Sequence, residues 1–208
     1  WTHNFAGLSD VCGATGSATV SFTVTDNCGN FSTTTATFTI EDTTAPTIDV
    51  EASDLVVECD GAGNVDRLNA WLDNNGDTGA ASDICSVDSP LVWTHNFAGL
   101  SDVCGATGSA TVSFTVTDNC GNFSTTTATF TIEDTTAPTI DVEASDLVVD
   151  CDGAGNTAEL NAWLASNGGT GAASDVCSVD SPLVWTHDFA GLSDDCGATG
   201  SATVTFTV

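Results

Sequence analysis

The chain contains no Lys, Met, Tyr or Gln, and its single Arg is Arg67. With 29 acidic residues against that one cation, the formal net charge is −28. A protein so poor in cations cannot displace counterions from a phosphate backbone, so nucleic acid is excluded as a partner. An anionic membrane surface is disfavoured for the same reason, and no apolar run approaches the roughly 18 residues that insertion requires. Without Lys and Gln, neither a Lys–Asn isopeptide bond nor a Thr–Gln ester can lock the fold. The lack of Met implies a window from a longer chain, with no signal segment to read. Catalytic signatures are missing too: there is no nucleophile elbow, metal-binding His pair or phosphate loop. His3, His95 and His187 recur once per period on the Trp side of one strand, as packed or rim histidines do. The chain is therefore expected not to be an enzyme.

What is present is a repeat. Trp1-Thr2-His3-Asn4-Phe5-Ala6-Gly7-Leu8-Ser9-Asp10 recurs from Trp93 and, with Asp188 in place of Asn, from Trp185, a period of 92 residues. Residues 1–57 match 93–149 without change, whereas 58–92 differ from 150–184 at eight positions. A unit of this length is large enough to own a core, and arrays of such units build rods in which each touches its neighbours.

Ala110, Val112, Phe114 and Val116 alternate with Thr and Ser, as do Ala128, Phe130 and Ile132, which predicts half-buried strands. Between them Asp118-Asn119-Cys120-Gly121-Asn122 predicts a hairpin turn. Leu91 to Phe97 and Asp54 to Cys59 read as two further strands. Leu68, Trp71 and Leu72 at helical spacing predict a short helix over 65–75, capped by Asn64 and ended by Gly76. In the next copy Asn156 and Glu159 suit a capping box. Asp42-Thr43-Thr44-Ala45-Pro46 reads as a linker, because Pro46 holds its predecessor extended. The expected organisation is all-β: the C-terminal half of one repeat in 1–44, a complete repeat in 45–136, and the N-terminal part of the next in 137–208.

The linker Asp-Thr-Thr-Ala-Pro-Thr-Ile, the Asp-Asn-Cys-Gly-Asn hairpin and the Val-Glu-Cys-Asp-Gly segment resemble hyalin-repeat (HYR)-like and immunoglobulin-like repeats of very large cell-surface adhesins of Bacteroidota. The gliding-motility adhesins exported by type IX secretion are among the similar proteins. The resemblance covers the whole chain and implies tandem immunoglobulin-like β-sandwiches, here with one short inserted helix each, arranged as an extended rod at the cell surface. It also implies that Trp93 is the packing Trp of each sandwich.

Nine cysteines fall four to a period, a regularity that reads as a disulfide framework in an oxidising compartment. Zinc is the weaker alternative, since no CxxC pair occurs. Within one repeat, the strand from Ser109 to Thr117 spans about 30 Å, so Cys104 cannot easily return to Cys120. Of the two remaining patterns, Cys59–Cys120 with Cys85–Cys104 is favoured over its alternative, and the next copy would pair Cys177–Cys196.

Calcium is the expected cofactor at the junctions. Glu41 and Asp42 of the linker should lie near Asp60, Asp118, Asn119 and Asn122, and Glu133 and Asp134 near Asp152, offering the oxygen ligands that Ca²⁺ takes; the competing reading is simple turn formation. The acidic loop 73–77 lacks the spacing of an EF-hand and reads as solvated. Asp42-Thr43-Thr44 and Asp134-Thr135-Thr136 resemble the short O-glycosylation motif of Bacteroidota, making Thr43 and Thr135 expected acceptors. The function so implied is a structural stalk or filament segment serving adhesion or surface motility, its partners being neighbouring repeats, lateral copies, or surface glycans and proteins. The alternative is a direct ligand-binding module, with loop 65–77 as its variable surface.

Overall fold

The computed structural model describes all residues except 87–89, 102, 103, 179–181, 194 and 196–198. The described residues are mostly β, with two short helices. It forms two compact units: residues 1–56, 65–100 and 109–131 make the first, and residues 57–64, 101–108 and 132–208 the second.

The strands form where β-branched and aromatic residues alternate with Thr and Ser. β1 (Thr2–Asn4), β2 (Gly16–Thr25) and β3 (Phe31–Ile40) make a three-stranded antiparallel sheet, with Gly16 opposite Ile40 and Thr25 opposite Phe31. A four-stranded sheet of order β5-β9-β8-β7 follows, built from β5 (Leu55–Glu58), β7 (Val92–His95), β8 (Gly108–Thr117) and β9 (Phe123–Glu133). β4 (Thr47–Val50) pairs antiparallel with β6 (Ala80–Ser82) through a bulge at Asp49. The helix α1 (Val65–Asp73) lies between β5 and β6 in the chain.

The core of the first unit is the inward face of β8 and β9 closed by α1. Val112, Phe114, Val116 and Phe130 are fully buried, and Ala128 nearly so. Trp71 of α1, only 2% exposed, meets Phe114 edge-on at 5.3 Å and Phe130 at 5.6 Å. Its indole N–H donates to Ser53 O at 2.9 Å, so the one polar atom of the ring is satisfied. α1 ends at Asp73, and in the turn that follows Gly76, with φ +77°, lets the chain fold back; a Cβ there would stand 2.6 Å from that of Ala52. Pro46 is buried, and its carbonyl accepts from Ser124 Oγ at 2.6 Å, which ties the expected linker to β9.

Two expectations need correction. The core tryptophan is Trp71 on the helix; Trp93 sits half-buried on the edge strand β7, opposite Val116. Neither Asn64 nor Asn156 caps a helix with its side chain. Both adopt left-handed backbones, φ +51° and +48°, and their amides turn back onto the preceding loop: Asn64 Nδ2 donates to Glu58 O at 2.8 Å, and Asn156 Nδ2 to Asp150 O at 3.0 Å. The reason is competition, since a short amide bonds a nearby loop carbonyl as readily as a helix N–H.

In the second unit, β10 (Thr139–Val142) pairs with β11 (Ala172–Ser174) in the register of β4 with β6. α2 (Thr157–Ala165) matches α1, with Trp163 edge-on to Phe206 at 5.3 Å and its N–H on Ser145 O at 2.8 Å. β12 (Thr186–His187) and β13 (Phe206–Thr207) make a short pair.

If Trp71 closes the core, Trp71→Ala should destabilise the chain by about 3–5 kcal/mol in chemical denaturation. Phe123→Ala, at a position 62% exposed, should change it by less than about 0.5 kcal/mol.

Candidate functional site: the cysteine and carboxylate nodes

Among the described residues two bridges form, each reaching beyond one period. Cys12 bonds Cys120 and Cys59 bonds Cys177, at sequence separations of 108 and 118. The expected Cys59–Cys120 pair is therefore replaced. Cys85 and Cys104 carry free thiols and do not pair. Cys177, expected to pair with Cys196, is taken by Cys59, while Cys196 lies outside the described residues. The strand-length argument against Cys104–Cys120 stands, because the ten-residue β8 separates them. Its premise failed: pairing was confined to one period, whereas Cys120 takes the Cys104-type cysteine of the period before.

The local geometry explains the choice. Cys12-Gly13-Ala14-Thr15 closes on itself, with Thr15 Oγ1 accepting from Cys12 N at 3.1 Å. Gly13 has φ +54° and lies so close to Cys85 that a Cβ would stand 2.1 Å from that carbonyl; Ala14 N donates to the same oxygen at 3.1 Å. In the second unit Gly105 meets Cys177 in the same way, and Ala106 N donates to Cys177 O at 3.0 Å. The two units thus hold equivalent nodes. The first has its Cys12-type residue bonded to the hairpin cysteine, and the second has its Cys85-type residue bonded to the Val-Val-Glu-Cys cysteine.

Around the first node stand the carboxylates of Asp42, Asp83 and Asp118, all within 4.8 Å of one another. Asp118 is buried and anchors the hairpin: its Oδ1 accepts from Cys120 N and Asn122 N, and its Oδ2 from Asn122 Nδ2, each at 2.8 Å. Burial alone would push its pKa up, but these hydrogen bonds outweigh that and hold it below the usual value. Asn122 Nδ2 also donates to Asp42 O at 3.2 Å, while Asp42 Oδ2 is buried without a partner. Burial, and then the charges of Asp42, Asp83 and Asp118, push the Cys85 thiol up.

Of the residues expected to gather, the structure brings together Asp42, Asp118 and Asn122, with the Asn119 side chain against Gly13. Glu41 is exposed. Asp60 belongs to the second unit, where it closes its own loop by accepting from Ala62 N and Asn64 N; those bonds lower its pKa. Asp152 does the same with Ala154 and Asn156. Asp83 was missed, although its spacing, two residues before Cys85, is repeated at Asp175 before Cys177. In the second unit Glu58, Asp134 and Cys177 cluster, but the bonded sulfur of Cys177 offers no thiolate. Glu133 contributes its carbonyl to Cys59 N at 2.8 Å. Thr135 Oγ1 donates to Glu58 Oε2 at 2.8 Å and Thr136 Oγ1 to Glu58 Oε1 at 2.9 Å; these threonines and Thr43 are exposed. Glu58, whose pKa is lowered chiefly by the Thr135 N–H, gave no sequence signal. The bridges need an oxidising compartment, and among the described residues no helix is long and apolar enough to cross a membrane.

Peptide mapping without reduction should recover Cys12–Cys120 and Cys59–Cys177, and Cys12→Ser should cost about 3–5 kcal/mol; a Cys59–Cys120 peptide would contradict this node. The lowered pKa of Asp118 gives a contribution fully present above its unfolded value of about 3.9 and lost as pH falls through the lower folded value. Stability should therefore fall on acidification below about pH 4, and Asp118→Asn should flatten that fall while costing about 2 kcal/mol at pH 7 in pH-resolved denaturation.

In comparisons with known proteins, no family model matches the chain and no curated protein matches it.

Proposed function

We propose that the chain is a stalk or filament segment of a repetitive secreted cell-surface adhesin, built of tandem immunoglobulin-like β-sandwich repeats divided at 44/45 and 136/137. The observation that carries this reading is the pair of cross-links at separations of 108 and 118, each longer than the 92-residue period. Bonds that reach from one period into the next would tie successive periods covalently, which suits a stalk under load. The charge of −28 keeps such a rod soluble and extended by self-repulsion. Within 65–77 Leu68, Trp71 and Leu72 are buried in the core, so a direct ligand-binding module, the alternative, would use the exposed Asp66, Arg67, Asp73, Asn74 and Asp77.

Calcium fits the first node. Asp42, Asp83 and Asp118 supply hard oxygen ligands within 4.8 Å of one another, Asn119 lies nearby, and the buried Oδ2 of Asp42 has no hydrogen-bond partner. A bound Ca²⁺ would cancel the mutual repulsion of three carboxylates and tie linker to hairpin. An export route to the bacterial surface, with Thr43 and Thr135 as sugar acceptors, is consistent with their exposure.

In small-angle scattering and thermal melting, millimolar Ca²⁺ should stiffen the chain and raise its Tm, EDTA should reverse both, and Asp42→Ala with Asp83→Ala should abolish the response. Unchanged dimensions and Tm would remove calcium from the reading. Electron microscopy of the native parent protein should show filaments; compact particles would overturn the stalk.

A further inference from the structure

The turn that follows α1 holds an Asn–Gly pair, and the pair recurs at the same place in the period: Asn75-Gly76 and Asn167-Gly168. In such a pair the side-chain amide is open to attack by the next backbone nitrogen, because glycine has no Cβ to obstruct the ring that forms. In the first unit three features hold that attack off. The nucleophile is engaged: Gly76 N–H donates to Trp71 O at 2.9 Å, as Gly168 N–H does to Trp163 O at 3.0 Å. The side chain under attack is fixed, since Asn75 Nδ2 donates to Gly79 O at 3.4 Å and a Cβ on Gly79 would stand 3.0 Å from that of Asn75. Room is lacking too, because Gly76 is buried with Ala52 Cβ and Phe114 Cε2 closing the space beside its Cα. Trp71, whose carbonyl holds the nitrogen, also closes the core with its ring, so lock and core share one residue.

We propose that Asn75 is a deamidation site gated by the opening of this turn, so that the residue keeps a chemical record of local unfolding. Opening frees the Gly76 nitrogen from Trp71 O and lets the Asn75 side chain rotate over it. Turns at helix ends open at a smaller free-energy cost than the whole domain. The record is therefore written before global unfolding.

In the covalent step Gly76 N bonds Asn75 Cγ, the Cγ–Nδ2 bond breaks, and the amide nitrogen leaves as ammonia with the proton from Gly76 N–H. The product is a five-membered succinimide. Water then adds to one of its two carbonyls and opens the ring to aspartate or isoaspartate, so the net change consumes water and releases ammonia, with no oxidant or reductant. Either acid adds a negative charge, and isoaspartate also adds a methylene to the main chain immediately before Gly76. The turn has no slack for it, because Ala52 and Phe114 already close on Gly76. The turn does not re-form around isoaspartate as it did around Asn75, and the record is permanent. The inference goes beyond the stalk reading and needs only the turn itself, so it stands or falls apart from filaments and calcium.

The test ages the purified 208-residue chain in mildly alkaline buffer across a urea series, reading Asn75 by peptide mass spectrometry and the Gly76 amide by hydrogen exchange. The folded chain should lose ammonia at Asn75 at least about tenfold more slowly than the unfolded chain. That slowing should match the exchange protection of the Gly76 amide within about threefold as urea rises, because both need the same opening. Trp71→Phe, which removes the indole bond to Ser53 O and keeps an aromatic ring in the core, should raise both rates together. Chain enriched in isoaspartate at position 75 should melt below fresh chain. Ammonia loss in the folded chain at the unfolded rate, no loss even in urea, a rate that stays flat while Gly76 protection falls, or an unchanged Tm with isoaspartate present would each overturn the proposal.

Discussion

Among the described residues two sulfur–sulfur bonds hold together a chain whose charge drives it apart. Twenty-nine carboxylates face one guanidinium, so ion pairing contributes almost nothing to cohesion. Closing a loop of about 100 residues in the unfolded chain is worth about 4.7 kcal/mol on a chain-entropy account, and the dependence on length is logarithmic. Reaching across a period therefore stabilises at least as much as a bridge inside one, and it adds a link between repeats. Gly13 and Gly105 make the reach feasible, because any side chain there would strike the carbonyl of the neighbouring cysteine.

The acidic residues are not idle ballast on this frame. Asp26, Asp60, Asp118 and Asp152 each turn back onto backbone N–H groups of their own loops, and each has its pKa lowered. A carboxylate accepting from amides is a charge-assisted hydrogen bond that needs no cation. Negative charge thus does locally what ion pairs do elsewhere, and it fixes the loops from which Cys59 and Cys120 project. The node at Asp42, Asp83 and Asp118 is the exception, where three carboxylates crowd together and one oxygen is left without a donor.

Strands were the legible part of the sequence. Val112, Phe114 and Val116 are fully buried and alternate with the less buried Ser113, Thr115 and Thr117, and α1 showed itself through Leu68, Trp71 and Leu72. The caps misled because Asn64 and Asn156 have two places to bond within six residues, and loop carbonyls won. Trp93 misled because strand alternation says which residues share a face and not whether that face is covered; on β7, an edge, it is covered only in part. Pairing of cysteines was out of reach because spacing within a period carries no information about which period supplies the partner. Asp42, Asp118 and Asn122 could be grouped from the order of linker and hairpin, while Asp83 and Glu58 arrive through tertiary approach alone.

The differences between copies separate what the fold needs from what it leaves free. Residues 58–92 and 150–184 differ at Glu58, Val65, Asp66, Arg67, Asp73, Asn74, Asp77 and Ile84, and every one of these is exposed in the first copy. Asp77 meets Trp71 through its backbone N–H alone, and Glu58, beside Cys177, is replaced by another carboxylate, Asp150. Asp77 sits at φ +79°, and its counterpart is Gly169 at φ +96°, so even this change respects a backbone that disfavours side chains. Four of the eight lie on α1, where the exposed Val65, Asp66, Arg67 and Asp73 become Thr157, Ala158, Glu159 and Ala165. Core residues and cysteines are thus kept between the copies, and variation falls on exposed positions, half of them on α1, where a substitution alters surface chemistry and leaves the packing of Trp71 in place.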